Sequence, residues 1–182
     1  QVPLSHVAID GEEIPIPLQG KVTEGKGWVL RNSKGQYTLT LDGLKAGSLE
    51  RKTPALEIQG DLTLVLKKGT ESELLSADAA LKKGAGTLTI RGEGSLRLQG
   101  ETALEGEWKE ETLNQDEPSA LRIEGGKLVF TGEETALYED TVELAGGEIQ
   151  IQCLNGKGTG IRAHTLDDRH FSGSLEMEES EE

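Results

Sequence analysis

The sequence predicts an all-β protein, a single-stranded parallel β-helix of about six short coils behind an N-terminal β-hairpin cap. A small residue followed by Leu or Ile recurs at Ala55-Leu56, Ala80-Leu81, Ala103-Leu104, Ala120-Leu121, Ala136-Leu137 and Gly160-Ile161. The steps between them are 25, 23, 17, 16 and 24 residues, a mean of 21, which lies in the range of stacked solenoids. A second landmark, Gly-x-apolar-x-apolar, stands at Gly60-Asp61-Leu62-Thr63-Leu64, Gly86-Thr87-Leu88-Thr89-Ile90, Gly126-Lys127-Leu128-Val129-Phe130 and Gly147-Glu148-Ile149-Gln150-Ile151. Finally, aromatic residues make up 3% of the chain against 24 glycines and one Met. An interior of Leu, Ile, Val and Ala suits thin stacked layers.

Residues 1–45 read as the cap. Val7-Ala8-Ile9, a turn at Asp10-Gly11, and Ile14-Pro15-Ile16-Pro17-Leu18 form one strand pair, with the prolines confining the second strand to an edge. Trp28-Val29-Leu30 and Tyr37-Thr38-Leu39-Thr40-Leu41 form another, joined by Asn32-Ser33-Lys34-Gly35, and Tyr37, Leu39 and Leu41 alternate as a half-buried strand should. Residues 46–177 read as the β-helix, each Gly-x-apolar-x-apolar run burying one face and wetting the other. Residues 71–83 carry a helical alternative with Ser72 as cap and Gly84 as stop. The recurring phrase at Ala80-Leu81 favours strand and turn. Residues 108–118 are polar and lack alternation, so they read as a loop thrown out from a coil corner. The acidic residues 178–182 read as a tail.

With 33 Asp and Glu against 19 Lys and Arg, the net charge of −14 opposes binding to nucleic acid and to anionic lipid. Cys153 is the single cysteine, which excludes an intramolecular disulfide and paired-cysteine zinc or redox motifs. It reads as a small buried hydrophobe at or just after the Ile149-to-Ile151 strand. No apolar run is long enough to span a membrane. The chain starts at Gln1 without Met, which suggests a processed or trimmed chain with a leader removed.

The stretches GWVLRNSKGQYTLTLDGL, GDLTLVLKKGTESEL, GTLTIRGEGSLRLQG, ALRIEGGKLVFTG and GKGTGIRA resemble, in that order, the β-helical carbohydrate-binding-like domains of secreted and cell-wall proteins from Gram-positive, often gut-associated, bacteria. The resemblance implies a right-handed helix, an extracellular or cell-surface address and, in some relatives, binding of acidic polysaccharide with calcium. The chain departs from that pattern in carrying Glu, Lys and Arg where relatives often show Ser, Thr, Asn and Asp.

A polysaccharide site on a solenoid is a shallow groove floored by outward residues of successive strands. The expected outward sets are Thr63, Thr89, Val129 and Gln150 on one layer and Glu57, Arg122 and Glu143 on another. Trp108 or Tyr138 adds an aromatic platform for a sugar ring. The densest polar cluster is His164, Asp167, Asp168, Arg169 and His170. Its carboxylates suit calcium and its imidazoles zinc, but the spacing matches no metal motif and a solvated polar turn paired through Arg169 reads better.

Lys67, Lys68, Lys82 and Lys83 sit near coil corners and read first as solubilising charges. No Gly-x-Ser-x-Gly elbow and no phosphate-binding Gly loop leading into a helix occurs. The expectation is a monomeric, non-enzymatic module of a bacterial surface protein, serving as scaffold, spacer or adhesive surface. A polysaccharide or cell-wall glycan binder, optionally calcium-assisted and otherwise without cofactor, is the alternative. A lyase or hydrolase remnant is the third reading, with aligned Glu57, Glu124 and Glu143 as its sign.

Overall fold

Two-residue alternation decides the elements of this chain. Leu62, Leu64 and Leu66 are buried with Thr63 and Val65 half-buried between them, and Leu88 and Ile90 repeat the pattern against Thr87 and Thr89 one coil later. The computed structural model describes residues 1–108 and 119–179, and its regular elements are all strands.

The chain opens with β1 (His6–Ile9), β2 (Glu12–Glu13), β3 (Val22–Gly25) and β4 (Trp28–Ser33). The coils follow as β5 (Gln36–Leu41), β6 (Lys45–Ser48), β7 (Leu56–Gln59), β8 (Leu62–Leu66), β9 (Glu71–Ser76), β10 (Ala79–Lys83), β11 (Gly86–Gly92) and β12 (Ser95–Glu105). Beyond the undescribed stretch come β13 (Ser119–Ile123), β14 (Lys127–Tyr138), β15 (Thr141–Leu144), β16 (Gly146–Cys153), β17 (Thr159–Arg162), β18 (Thr165–Asp167) and β19 (Ser172–Glu179).

From β5 onward each strand pairs in parallel with its equivalent one coil away, which makes a β-solenoid of about five turns. The turn has three faces. The first stacks β5, β8, β11, β13, β15 and β18; the second stacks β6, β9, the first half of β12, the first half of β14, β16 and β19. The third stacks β7, β10, the second halves of β12 and β14, and β17. β12 and β14 run round the corner between second and third faces unbroken, with a register shift between Gly100 and Thr102.

At the N-terminal end the pairing is antiparallel. β1 lies on β7 and turns back into β2, while β3, β4 and β5 form a meander. Of the three tight turns there, Lys26-Gly27 has a positive φ only at Gly27, while the other two have two successive positive φ values, 50° and 81° at Asp10-Gly11 and 54° and 78° at Lys34-Gly35. That is the type I′ geometry matched to strand twist. Residues 71–83 are the strands β9 and β10, not a helix.

The core is a column of like residues. Leu56, Leu81, Leu104 and Leu137 are each 0% exposed and stand in register on the third face, with Ile161 at the end of the row. Each such burial contributes roughly 1.5–3 kcal/mol. This row corrects the repeat read from sequence. Ala120-Leu121 belongs to β13 on the first face, where Leu121 pairs with Leu88. The steps of 17 and 16 are therefore one long step of 33 from Leu104 to Leu137 (17 + 16), with the expected loop inside it. Residues 109–118 of that loop, and residues 180–182 of the tail, lie outside the described residues.

The glycine landmarks divide as well. Gly60 and Gly86 enter the first face; Gly126 and Gly147 enter the second. Gly86 has φ +109°, and a Cβ there would stand 2.5 Å from the carbonyl carbon of Gly60. The coil corner closes there only because position 86 lacks a side chain, while a Cβ at Gly60 would meet the backbone of Pro3 and Leu4 instead. Cys153 ends β16 at 2% exposure, with its thiol against backbone carbonyls of Glu133, Glu134 and Asn155.

Candidate functional site

On the third face the residue after each core leucine points outward. Glu57, Lys82, Glu105, Tyr138 and Arg162 are in register there, one per coil. Trp108 leaves the end of β12 beside this row, half-buried, and its ring centroid lies 5.2 Å from that of Tyr138 at an interplanar angle of 33°. The His164 ring lies 3.6 Å from Trp108. The Arg162 guanidinium carbon sits 5.6 Å from the Trp108 centroid and 5.8 Å from that of Tyr138, within range of attraction to both π faces. Trp108 and Tyr138, expected singly, are thus neighbours on one surface.

A cleft of about 210 Å³ continues from this platform, bordered by His6, Glu57, Lys82, Glu105, Gly106 and Glu107. The His6 imidazole lies 3.4 Å from Glu13 and 3.5 Å from Glu57. Alternating charge along the cleft, Glu57 then Lys82 then Glu105, offers both hydrogen-bond donors and acceptors to a polar ligand.

One residue further along each strand the side chain turns inward, and here the repeat breaks its apolar rule. Ile58 is paired with Lys83, and Gly106 and Glu139 occupy the corresponding places in the next coils. Lys83 and Glu139 are 3% and 0% exposed. The Lys83 ammonium donates to Glu139 Oε2 at 2.6 Å, Ser119 Oγ at 2.9 Å, and the carbonyls of Gly86 at 2.9 Å and Gly84 at 3.0 Å. Glu139 Oε1 accepts from the Ser119 hydroxyl at 2.7 Å and from the Asp140 backbone N–H at 2.8 Å. Burial pushes the Lys83 amine down and the Glu139 carboxyl up, and their mutual attraction and hydrogen bond pull each the other way. Four acceptors around the ammonium are the geometry of an ion pair. Lys83 is therefore structural, not a solubilising charge.

This buried group reaches the platform through one residue. Asp140, whose N–H is held by Glu139, places Oδ1 2.5 Å from His164 Nδ1. Its backbone carbonyl accepts from the N–H of His164 and of Thr165. The imidazole is thereby fixed against Trp108.

The other expected residues lie elsewhere. Glu57 shares the row of Tyr138, but Arg122 and Glu143 are on the first face in the row of Thr63 and Thr89. Val129 and Gln150 are on the second face in the row of Arg97. Arg122 lies between Glu143 and Glu124, and those hydrogen bonds hold its guanidinium above its ordinary range. Glu57, Glu124 and Glu143 consequently do not line up as a carboxylate set. Asp167 is taken by Arg169, at 3.0 Å to Nε and 2.9 Å to Nη2, and His164 by Asp140. Asp168 and His170 are exposed. Among the described residues no three His, Cys, Asp or Glu side chains are grouped to hold a metal ion.

Sequence reasoning took Lys83 for a solubilising charge and missed Ser119, Glu139, Asp140 and Arg162. A signal for Lys83 and Glu139 was present. Aligning the repeats by strand register gives Leu56-Glu57-Ile58, Leu81-Lys82-Lys83, Leu104-Glu105-Gly106 and Leu137-Tyr138-Glu139. A lysine, a glycine and a glutamate then stand at one inward position.

Among the described residues no helix is long and apolar enough to cross a membrane. No curated protein and no solved structure matches the chain. One family model, described as carbohydrate-binding domain-containing protein, matches residues 6–180. With nearly the whole solenoid inside that match, the chain belongs to the carbohydrate-binding domain-containing family.

Proposed function

We propose that the protein is a non-enzymatic polysaccharide-binding module whose third face receives the glycan. The observation that carries this reading is the pairing of Trp108 with Tyr138 on an outward row, flanked by Arg162 and His164, in a chain of a carbohydrate-binding domain family. Aromatic faces accept the apolar C–H surface of a pyranose ring. The neighbouring Lys82, Glu57 and Glu105 meet its hydroxyls, and a stacked row gives a chain of sugars a track along the solenoid. The net charge of −14 disfavours long polyanions at low ionic strength. A glycan array read with and without chelator tests the reading and calcium assistance together. Binding that is lost in Trp108→Ala and Tyr138→Ala is expected; the absence of binding to pectic, mucin and cell-wall glycans in both conditions would end the proposal.

The continuous parallel ladders also favour display. In this reading the solenoid follows a right-handed path of six coils counting the incomplete last one, capped by residues 1–45. It stands as a monomeric spacer or scaffold in an extracellular, surface-attached bacterial protein. A deletion of the module that leaves surface display and attachment unchanged would count against it.

A further inference from the structure

On the first face, remote from the Trp108 platform in strand register, a cleft of about 480 Å³ opens between residues 1–4 and the start of β5, β8 and β11. That volume lies within the roughly 300–1,000 Å³ of small-ligand sites. Its floor is Thr63, Thr87 and Thr89, with Thr63 and Thr89 paired across adjacent strands. Neighbouring strands are about 4.8 Å apart, so the two hydroxyl-bearing side chains form a short ladder. None of the three hydroxyls has a hydrogen-bond partner among the described residues.

The walls are equally specific. Tyr37 is half-buried on one side, and its hydroxyl receives a hydrogen bond from Asn32 Nδ2 at 3.2 Å. Gln36 borders the opening. Residues 1–4 are pinned as the opposite wall: Asp61 Oδ2 accepts from the Val2 N–H at 3.1 Å, and the Asp61 N–H donates to the Val2 carbonyl at 2.8 Å. Asp61 Oδ1 accepts from the Thr87 N–H at 2.8 Å. The carboxylate is thus occupied in building the wall. Arg122, next in the Thr63–Thr89 row, is neutralised between Glu124 and Glu143. What remains for a ligand is an aromatic edge, hydroxyls and an amide, with no side-chain cation among the bordering residues.

We infer that this cleft is a second saccharide site, selective for an uncharged sugar, separate from the charged platform on the third face. Unpartnered hydroxyls and an amide match the donor and acceptor pattern of sugar hydroxyls. The bordering side chains include the Asp61 carboxylate and no cation, so a carboxylated or sulfated sugar finds no side-chain partner of opposite charge there. That the ligand is a saccharide rests on the carbohydrate-binding reading above; the location and the preference for neutral sugars rest on the cleft alone.

The test is amide-resolved NMR titration of the full chain with neutral and anionic oligosaccharides, using wild type, Trp108→Ala/Tyr138→Ala and Thr63→Val/Thr89→Val. Valine keeps threonine's shape and strand propensity, so folding is retained. Neutral sugars should shift the amides of Gln36, Thr63, Thr87 and Thr89 in wild type and in the platform variant. The threonine variant should bind them about tenfold more weakly, as expected for two lost neutral hydrogen bonds. Shifts confined to Tyr138, Arg162 and His164 would overturn the cleft and leave the platform standing. Shifts confined to the cleft would overturn the platform instead. Silence in every arm, or an affinity for neutral sugars untouched by the threonine changes, would overturn this inference.

Discussion

Lys83 and Glu139 meet across the coil that lies between them, Nζ to Oε2 at 2.6 Å, through the space left by Gly106. Removing one member of a buried pair leaves an uncompensated charge, costing roughly 3–5 kcal/mol, whereas replacing both by apolar residues is often neutral. Lys83→Met should therefore destabilise the solenoid strongly and Lys83→Met/Glu139→Met should recover most of the loss, measured by urea unfolding. Without the lysine, burial is opposed only by the hydrogen bonds from Ser119 and Asp140, and the Glu139 carboxyl rises further above the unfolded value. A raised acid contributes stability below the unfolded pKa and loses it as pH rises through the folded one. Relative to wild type, the single variant should be least impaired in acid and progressively worse as pH rises. A stability difference that does not change with pH would contradict the assignment.

Gly106 and Gly69 separate two reasons for glycine. A Cβ at 106 would stand 2.3 Å from the Glu139 carboxyl carbon, and Gly106 has no positive φ. At Gly69 nothing lies within 4 Å but φ is +81°. Gly106→Ala should displace Glu139 and cost about 1–3 kcal/mol as overpacking does. Gly69→Ala should cost about 1 kcal/mol of backbone strain. Only the first should change the chemical shift of the Lys83 ammonium.

The fold was legible because core leucines recur at strand spacing, and that signal is local. Leu62-Thr63-Leu64 and Leu88-Thr89-Ile90 declare their faces without reference to anything distant. Register between coils is not local. Ala120-Leu121 carries the same letters as Ala103-Leu104 but serves another face, so five positions in one column were read as six and the outward sets were mixed. The platform was half legible: Trp108 and Tyr138 stand out as rare aromatics, while Arg162 and Asp140 acquire meaning only when β17 is laid beside β14. Lys83 was hidden because a paired lysine in sequence reads as solvated, and only the facing Glu139 explains its burial.

The turn after β18 has its own measurable signature. Hydrogen bonds from the Arg169 side chain and backbone hold the Asp167 carboxyl down at about 2. A depressed acid contributes stability above its unfolded pKa and loses it as pH falls through the folded value. Carbon-detected titration should place the Asp167 midpoint near 2, and Arg169→Gln should return it toward the ordinary value of about 3.9. A midpoint unmoved by that substitution would show that Arg169 is not the cause.

Asp140 is the positioning residue for the platform, because its carboxylate holds His164 at 2.5 Å while its N–H is anchored to Glu139. The Asp140–His164 contact itself is partly exposed, with side chains 20% and 40% accessible, so its loss should cost less than about 1 kcal/mol of stability. Its effect on ligand affinity should be larger, since freeing the imidazole unlocks the ring that lies 3.6 Å from Trp108. Preorganised contacts contribute to affinity by removing the ordering cost at binding. Asp140→Ala is expected to weaken glycan binding about tenfold, near 1.4 kcal/mol, with little change in melting temperature. Asp140→Asn, which keeps a hydrogen-bonding oxygen, should recover part of the affinity. Calorimetric titration against the best array ligand distinguishes the roles: equal losses in both variants would assign the effect to charge, and no loss in either would remove Asp140 from the site.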